Sequence, residues 1–356
     1  MKQKLFIAQK IQIPLEIPSE LAHISKQTKE KYKNEFPPYS IGQIGGEEKA
    51  HEVLESFLNL RSKKYMYHIS KPFESQNSCS RLSPYITYGC ISIKYIFQKS
   101  LEKTEELKAL GDENALKQKK SIDFFLARIH WQSHFIQKLE DEPELEFRNL
   151  NPLFDKIRTE TDMKLIKAVF AGKSGIPYID ATIRELTTTG WTNFRSRAIL
   201  VSFLCNTCMQ PWQAIGWKLA QLFLDYEPGI HYPQLQMQAG TTGINTIRIY
   251  NPVLNGQEKD PDGVFIRYYL PELRDVPNTH IHEPWLWEKF DTLDYPLPLV
   301  DVISANRIAR DTLWKTKWNL PKKIKEKIVQ KHASRVFRTK RIKKVLGPSQ
   351  TQITLF

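Results

Sequence analysis

The sequence predicts a mainly α-helical protein, on three observations. Apolar residues recur at spacings of three and four, as Ala50, Val53, Leu54, Phe57 and Leu58 do within residues 47–61, which places them on one helix face. Helix punctuation is dense: Ser83 with Pro84 supplies a cap and a first-turn proline, Pro177 opens another helix and Gly190 closes it. The alternation of strand and helix patterns that marks a parallel sheet is absent.

Residues 1–48, rich in Pro, Lys and Glu with little periodicity, read as a lead-in ending in the glycines Gly42, Gly45 and Gly46. The helix at 47–61 follows, then a polar loop through 75–78, then the helix that Ser83 caps and Pro84 begins. Residues 117–140 read as a long helix carrying Phe124, Phe125, Ile129, Trp131, Phe135 and Ile136. Beyond irregular chain come helices at 162–171, stopped by Gly172, at 177–189, at 195–209 and at 211–224. Residues 241–266 read as loop-rich, with turns at Asn251-Pro252 and at 260–263. Residues 322–344 read as a basic helix and those from 347 on as flexible. The expected organisation is a lead-in (1–48), a helical domain (49–320), a basic arm (321–346) and a tail (347–356).

Hydrophobic content of 41% with 11% aromatics excludes a disordered chain. The formal charge of +13 asks for a polyanionic partner, nucleic acid ahead of a membrane surface. Residues 321–344 hold eleven Lys or Arg against the single acid Glu326, so this arm carries +10 of the total and the remainder is near neutral. The arm is either a solvated helix or a phosphate-tracking device, and its lopsided charge favours the second. Four cysteines in so long a chain make no disulfide framework and point to a reducing compartment. Cys205 and Cys208 lie in an apolar run with no second close pair, and read as buried hydrophobes rather than metal ligands. No apolar run reaches membrane-spanning length and the first residues lack a signal-peptide core, so a cytoplasmic protein with no membrane partner is expected.

Two segments combine residues that can do chemistry. In 78–84, hydroxyl groups, helix-start N–H groups and Arg81 make either a phosphate cradle or an ordinary capped helix. Arg197 and Asp225 both sit in apolar surroundings, where an unpaired charge would be costly, so they are expected to pair and to set polarity at the edge of a flat aromatic cofactor.

Residues 80–85, 146–148, 172–175, Asp180-Ala181, 189–191, 202–204, 248–252, 260–263 and 269–273 resemble, in unbroken order over roughly residues 50–290, the photolyase/cryptochrome family. The resemblance implies the FAD-binding helical domain. It does not extend to the α/β antenna domain, which a separate protein would then supply. It implies FAD folded back on itself, with Tyr67, Cys79, Ser80, Arg81, Leu82 and Ser83 around the phosphates and ribityl chain and Trp191 as a wall. Arg197 and Asp225 would lie beside the isoalloxazine and Glu227 on the adenine or ribityl side, with Gln132, Phe194 and Tyr226 lining the same pocket. His231 would face flavin N5, there to exchange a proton near neutral pH or to serve as a structural histidine.

Repair in this family passes an electron from reduced flavin to a flipped-out pyrimidine dimer. Trp131 matches one wall of the lesion pocket. Arg128 replaces a carboxylate, Gln132 an arginine, Met237 a second tryptophan and Phe194 an asparagine, changes that remove polar readout of the lesion. Arg128 adds a phosphate contact, and Arg195, Lys340 and Arg341 complete the expected DNA-binding set. Of the three tryptophans that usually photoreduce the flavin only Trp212 matches, Leu235 and Thr159 standing at the others; photoreduction is then slow or uses Tyr226 or Tyr232. The catalytic candidates are Trp131, Arg128, His231 and Trp212.

The last five residues look like the peptide by which bacterial DNA enzymes bind the sliding clamp, with Gln352 orienting and Leu355 and Phe356 filling a groove; the plain alternative is a frayed terminus. The expected function is light-dependent repair of pyrimidine photoproducts in DNA by a photolyase-type lyase. The alternatives are a blue-light photoreceptor or a repair-inactive, DNA-associated flavoprotein module.

Overall fold

The computed structural model describes residues 42–319 and 321–332. The helix expected at residue 47 forms and runs on past its apolar pattern. α1 (Glu47–Ser56) passes into a π-helical stretch, Phe57–Arg61, and continues as α2 (Ser62–His68). The wider π turn re-aims its last side chain. Arg61 donates to the carbonyls of Val53 at 2.7 Å, Ser80 at 3.1 Å and Cys79. The residues read as a polar loop belong instead to α3 (Pro72–Ser78), which Pro72 opens with a preset φ.

Ser83 starts α4 (Ser83–Thr87) but does not cap it; Leu82 holds the cap position and no side chain caps the helix. α5 (Ile93–Leu110) follows, then α6 (Glu113–Asp141). α6 begins earlier than its aromatic pattern because Asp112 caps it, accepting from the Ala115 N–H at 2.9 Å. α2 and α5 pack along α6 around a first core of Leu54, Phe57, Tyr65, Tyr85, Ile122 and Phe125, which also takes in Trp191.

A second core lies between α7 (Met163–Phe170), α8 (Pro177–Thr189), α9 (Phe194–Ser202) with the π stretch Phe203–Thr207, α10 (Trp212–Leu222) and α11 (Pro228–Ala239). The second half of α9, Ala198–Ser202, and the π stretch after it are fully buried, which is why the sequence from Ala198 to Leu204 is nearly all apolar. Cys205 and Cys208 are free and buried in this core. Gly172 and Gly190 end their helices with φ of 65° and 70°, the left-handed turn that glycine adopts without strain.

Residues 241–266 are less loop-rich than expected. The turn signals are helix starts: the Asn251 side chain caps α12 (Pro252–Lys259), and Asp260 accepts from the N–H groups of Phe265 at 3.0 Å and Ile266 at 3.1 Å in α13 (Val264–Tyr269). α14 (Val302–Trp318) and α15 (Lys322–His332) complete the described chain. Among the described residues there is no β-strand, and no helix is long and apolar enough to cross a membrane.

The two cores are held together where α11 crosses α6. A Cβ at Gly229 would lie 2.8 Å from the Cα of Ile136, so the backbones approach as closely as they do only with glycine there. Near Trp191 of the first core, the Leu224 N–H, next to Phe223 of the second core, donates to the Gly190 carbonyl at 2.8 Å across the seam between the two cores.

Candidate cofactor site

The seam buries charge. Arg197, one turn into α9, donates through Nη2 to both oxygens of Asp225 at 3.0 and 3.1 Å and through Nε to the Thr192 carbonyl at 3.0 Å. Its guanidinium lies 4.3 Å from the centre of the Phe223 ring. The expected ion pair therefore forms, and Asp225 is 7% exposed within it. Asn193 sets the position of α9 from both ends of its amide: Oδ1 caps the helix at the Ser196 N–H (2.9 Å), and Nδ2 donates to Ser75 Oγ of α3 (3.0 Å).

A second arginine enters from the other core. Arg81, at a left-handed φ of 59°, lays its guanidinium 3.9 Å from the centre of the Trp191 ring. It donates through Nε to Gln43 Oε1 at 3.1 Å, while Gln43 Nε2 donates back to the Arg81 carbonyl at 2.9 Å. Tyr85 fastens the same segment by donating to the Ile44 carbonyl at 2.7 Å. Behind Arg81 is Glu185, whose Oε1 accepts from Gln76 Nε2 at 2.8 Å and whose Oε2 has no partner among the described residues. Burial pushes the Glu185 carboxyl up to about 8, so it is neutral at physiological pH. The cluster thus sets two guanidiniums beside the carboxyl groups of Asp225 and Glu185.

His231 is buried among Tyr232, Tyr226 and Phe223, with ring centres 5.1, 5.2 and 5.7 Å away. Its Nε2–H donates to the Gly216 carbonyl at 2.9 Å, which makes Nδ1 the acceptor. Burial drives its pKa down to about 4, against the raising effect of the Gly216 bond. Of the two readings of this residue, proton exchange near neutral pH and a structural histidine, burial favours the second.

The remaining candidates divide into groups. Cys79 and Leu82 are buried, and the hydroxyls of Ser80 and Ser83 make no hydrogen bond among the described residues. Tyr67 is exposed on α2. Glu227 already caps α11, accepting from the Gly229 N–H at 3.2 Å. Tyr226 donates to the Tyr232 hydroxyl at 3.5 Å. Trp131, Arg128 and Gln132 share α6: Trp131 is 37% exposed and stacks on Phe135, and Arg128 lies over the Phe124 ring. Phe194 is exposed at the start of α9, Arg195 donates to the Tyr250 hydroxyl at 3.0 Å, and Met237 is half-buried on α11. Trp212 is buried, with Nε1 on Asn149 Oδ1 at 2.7 Å. Lys340, Arg341, Gln352, Leu355 and Phe356 lie outside the described residues.

Sequence reasoning missed Gln43, Gln76 and Glu185. Only Glu185 left a trace: it falls three and four residues after Thr182 and Ala181, on the buried face of α8, where an acid is unexpected.

Residues 125–315 match the family described as the FAD binding domain of DNA photolyase. The chain belongs to this family. It is 30% identical over 266 residues to the deoxyribodipyrimidine photo-lyase of Alkalihalophilus pseudofirmus, covering 72% of this chain and 53% of that protein. It is 29% identical over 255 residues to cryptochrome-2 of Arabidopsis thaliana, covering 68% and 40%. The crystal structure of a bacterial class III photolyase from Agrobacterium tumefaciens superposes with a TM-score of 0.66 at 27% identity, covering 77% and 56%. The chain spans about half the length of the curated photolyases it matches. The residues present fit the dinucleotide of this photolyase-family domain. The guanidiniums of Arg81 and Arg197 lie at this seam, and the buried Glu185 Oε2 and Thr192 Oγ1 have no partner among the described residues, a set that suits the phosphates and hydroxyls of a dinucleotide.

Proposed function

We propose that this domain binds FAD at the seam between its two cores and serves light-driven, one-electron repair of pyrimidine photoproducts in DNA. The arrangement of Arg81 on Trp191 facing the buried Arg197–Asp225 pair carries this reading. Bound there, FAD supplies light absorption and single-electron transfer; the chain supplies the rest. Arg81, Ser80 and Ser83 hold the diphosphate. Arg197, fixed in place by Asp225 and Thr192, polarises the ring edge. His231 offers an acceptor through Nδ1 and keeps its only N–H on Gly216, so it orients a neighbouring donor and does not act as an acid. Trp131 gives an aromatic surface for an extruded base, and Arg128 and Arg195 give contacts to phosphate.

Two observations favour a second reading, a flavoprotein that does not repair DNA. Phe194 stands 48% exposed where the family resemblance has an asparagine, and the Arg128 guanidinium rests over Phe124. The test is to purify the protein, record its bound-flavin spectrum and assay dimer-containing oligonucleotides under blue light. A flavin spectrum with photoproduct loss supports repair, and a flavin spectrum without loss supports the second reading. A colourless protein that takes up no flavin refutes both.

The basic arm and the terminal peptide extend the proposal to DNA tracking and clamp binding. Removing residues 352–356 should abolish retention on immobilised clamp and leave flavin content unchanged. Unchanged retention refutes the clamp contact.

A further inference from the structure

Residues 247–251 lie along α14 without forming a helix of their own, and they alternate in what they touch. Ile247 joins Phe154 and Leu313 in a small core, with Ile249 and Trp314 packed against it, whereas Tyr250 packs on the second core. Asn306 of α14 ties the two segments together: Nδ2 donates to the Tyr250 carbonyl at 3.4 Å, and Oδ1 accepts from Thr207 Oγ1 at 2.6 Å. Between them runs a groove of about 480 Å³. Sites for small ligands span about 300–1,000 Å³, so it is large enough to hold one.

The face of α14 that lines the groove carries Ile303, Arg307, Arg310 and Trp314, whose spacing puts them on one side of a helix. Arg307 makes no hydrogen bond or ion pair among the described residues, and Arg310 has only the exposed Asp311, at 3.5 Å. Asp301 acts on Arg307 from a distance, its carboxylate being taken by the Ser304 N–H at 2.7 Å. Across the groove, Asn251 commits Oδ1 to the N–H groups of Val253 and Leu254 and leaves Nδ2 free to donate. Among the described residues that line the groove there is no acid. The two guanidiniums stand one helical turn apart, where like charges repel, so the groove is a set of donors in want of an anion. Beside them lies a half-buried indole with an aliphatic wall.

We propose that this groove binds one nucleotide, its phosphate on Arg307 and Arg310 and its base against Trp314 and Ile249. A flat ring joined to an anion is what the lining suits: planar guanidiniums match phosphate oxygens, and an indole gives a base a surface to stack on. The nucleotide comes either free or as one unit of a nucleic-acid strand. The groove shares no residue with the seam between the two cores, so this site stands whether or not the seam takes FAD.

The test is calorimetric titration of protein exchanged with FAD and freed of the excess, using adenosine monophosphate, adenosine and inorganic phosphate. The monophosphate should bind, with adenosine and phosphate each at least about tenfold weaker. Arg307→Ala/Arg310→Ala should weaken the monophosphate at least about tenfold, and Trp314→Leu about fivefold, with circular dichroism unchanged. A second arm irradiates 5-iododeoxyuridine monophosphate, or a thymidine tetranucleotide carrying one 5-iododeoxyuridine, on the protein and maps the label by mass spectrometry. Label on the peptide containing Trp314 supports the site, and the probe that labels it more fully names the source, free nucleotide or strand. Equal affinity for adenosine and its monophosphate overturns the proposal. So does an affinity unaltered in Arg307→Ala/Arg310→Ala, or label confined to the peptide of Trp191, which would place the nucleotide in the seam.

Discussion

The guanidinium of Arg81 lies over Trp191, 3.9 Å from the ring centre, and this contact joins the loop before α4 to the turn before α9. Arg81 comes from the loop that Arg61 braces, Trp191 from the turn that leads into α9. The pair places a cation against an aromatic wall in a desolvated seam, where such contacts reach about 2 kcal/mol.

Replacing Trp191 with alanine removes both the ring from the first core and the platform for Arg81. The expected loss is about 3–5 kcal/mol of folding stability, as for other buried aromatics. Trp191→Phe should lose less than half of that. Urea denaturation followed by far-ultraviolet circular dichroism measures both, and equal losses for the two variants would contradict the platform role.

Breaking the Arg197–Asp225 pair from one side leaves the other charge buried. Asp225→Asn is expected to cost about 3 kcal/mol, and Arg197→Met/Asp225→Leu less than the sum of its single substitutions. A double-mutant cycle gives the coupling energy directly. Strict additivity would show that the two groups do not depend on each other.

Glu185 gives stability a pH dependence of a particular sign. Its carboxyl is raised from 4.5 to about 8 in the folded protein, so between these values the folded state holds a proton that the unfolded state has released. Its contribution is complete below about pH 4.5 and is lost as pH rises toward 8, with a slope approaching about 1.4 kcal/mol per pH unit. His231 acts in the opposite sense over a lower range: its depressed pKa withdraws stability as pH falls from 6.5 toward 4. Glu185→Gln should flatten the decline between pH 6.5 and 8 in urea midpoints and, between about pH 4.5 and 6.5 where the two effects oppose each other, should unmask the rise due to His231.

Gly229→Ala would place a methyl group 2.8 Å from the Ile136 backbone. Neither helix has a flexible atom there to yield, so the crossing must open, at about 1–3 kcal/mol. A thermal midpoint unchanged by this substitution would show that the two helices are not held in contact.

Much of this was readable beforehand, for identifiable reasons. The Arg197–Asp225 pair could be anticipated because two charges in apolar runs leave few alternatives to pairing. Helix ends at Gly172 and Gly190 were legible from local chemistry alone. Asn251-Pro252 and the Asp260 turn misled because the residues that make turns also begin helices, and only packing decides between the two. The two readings of His231 stay open in the sequence for a different reason: the choice depends on burial between α10 and α11, which no local pattern records. Glu185 and Gln43 owe their roles to chain segments far away in sequence, Arg81 for Gln43 and Gln76 for Glu185.

The hold of Gln43 on Arg81 has a mechanical side. Two hydrogen bonds, at 2.9 and 3.1 Å, tie the stretch just before α1 to the residue that stacks on Trp191. A pull applied to the polypeptide upstream of Gly42 reaches the cradle first through that glutamine, one residue ahead of the Ile44 carbonyl that Tyr85 holds, with no helix in between to absorb it. Whatever is joined to that end of the domain has a short lever on the grip of Arg81, and release of the grip slackens the same lever in return.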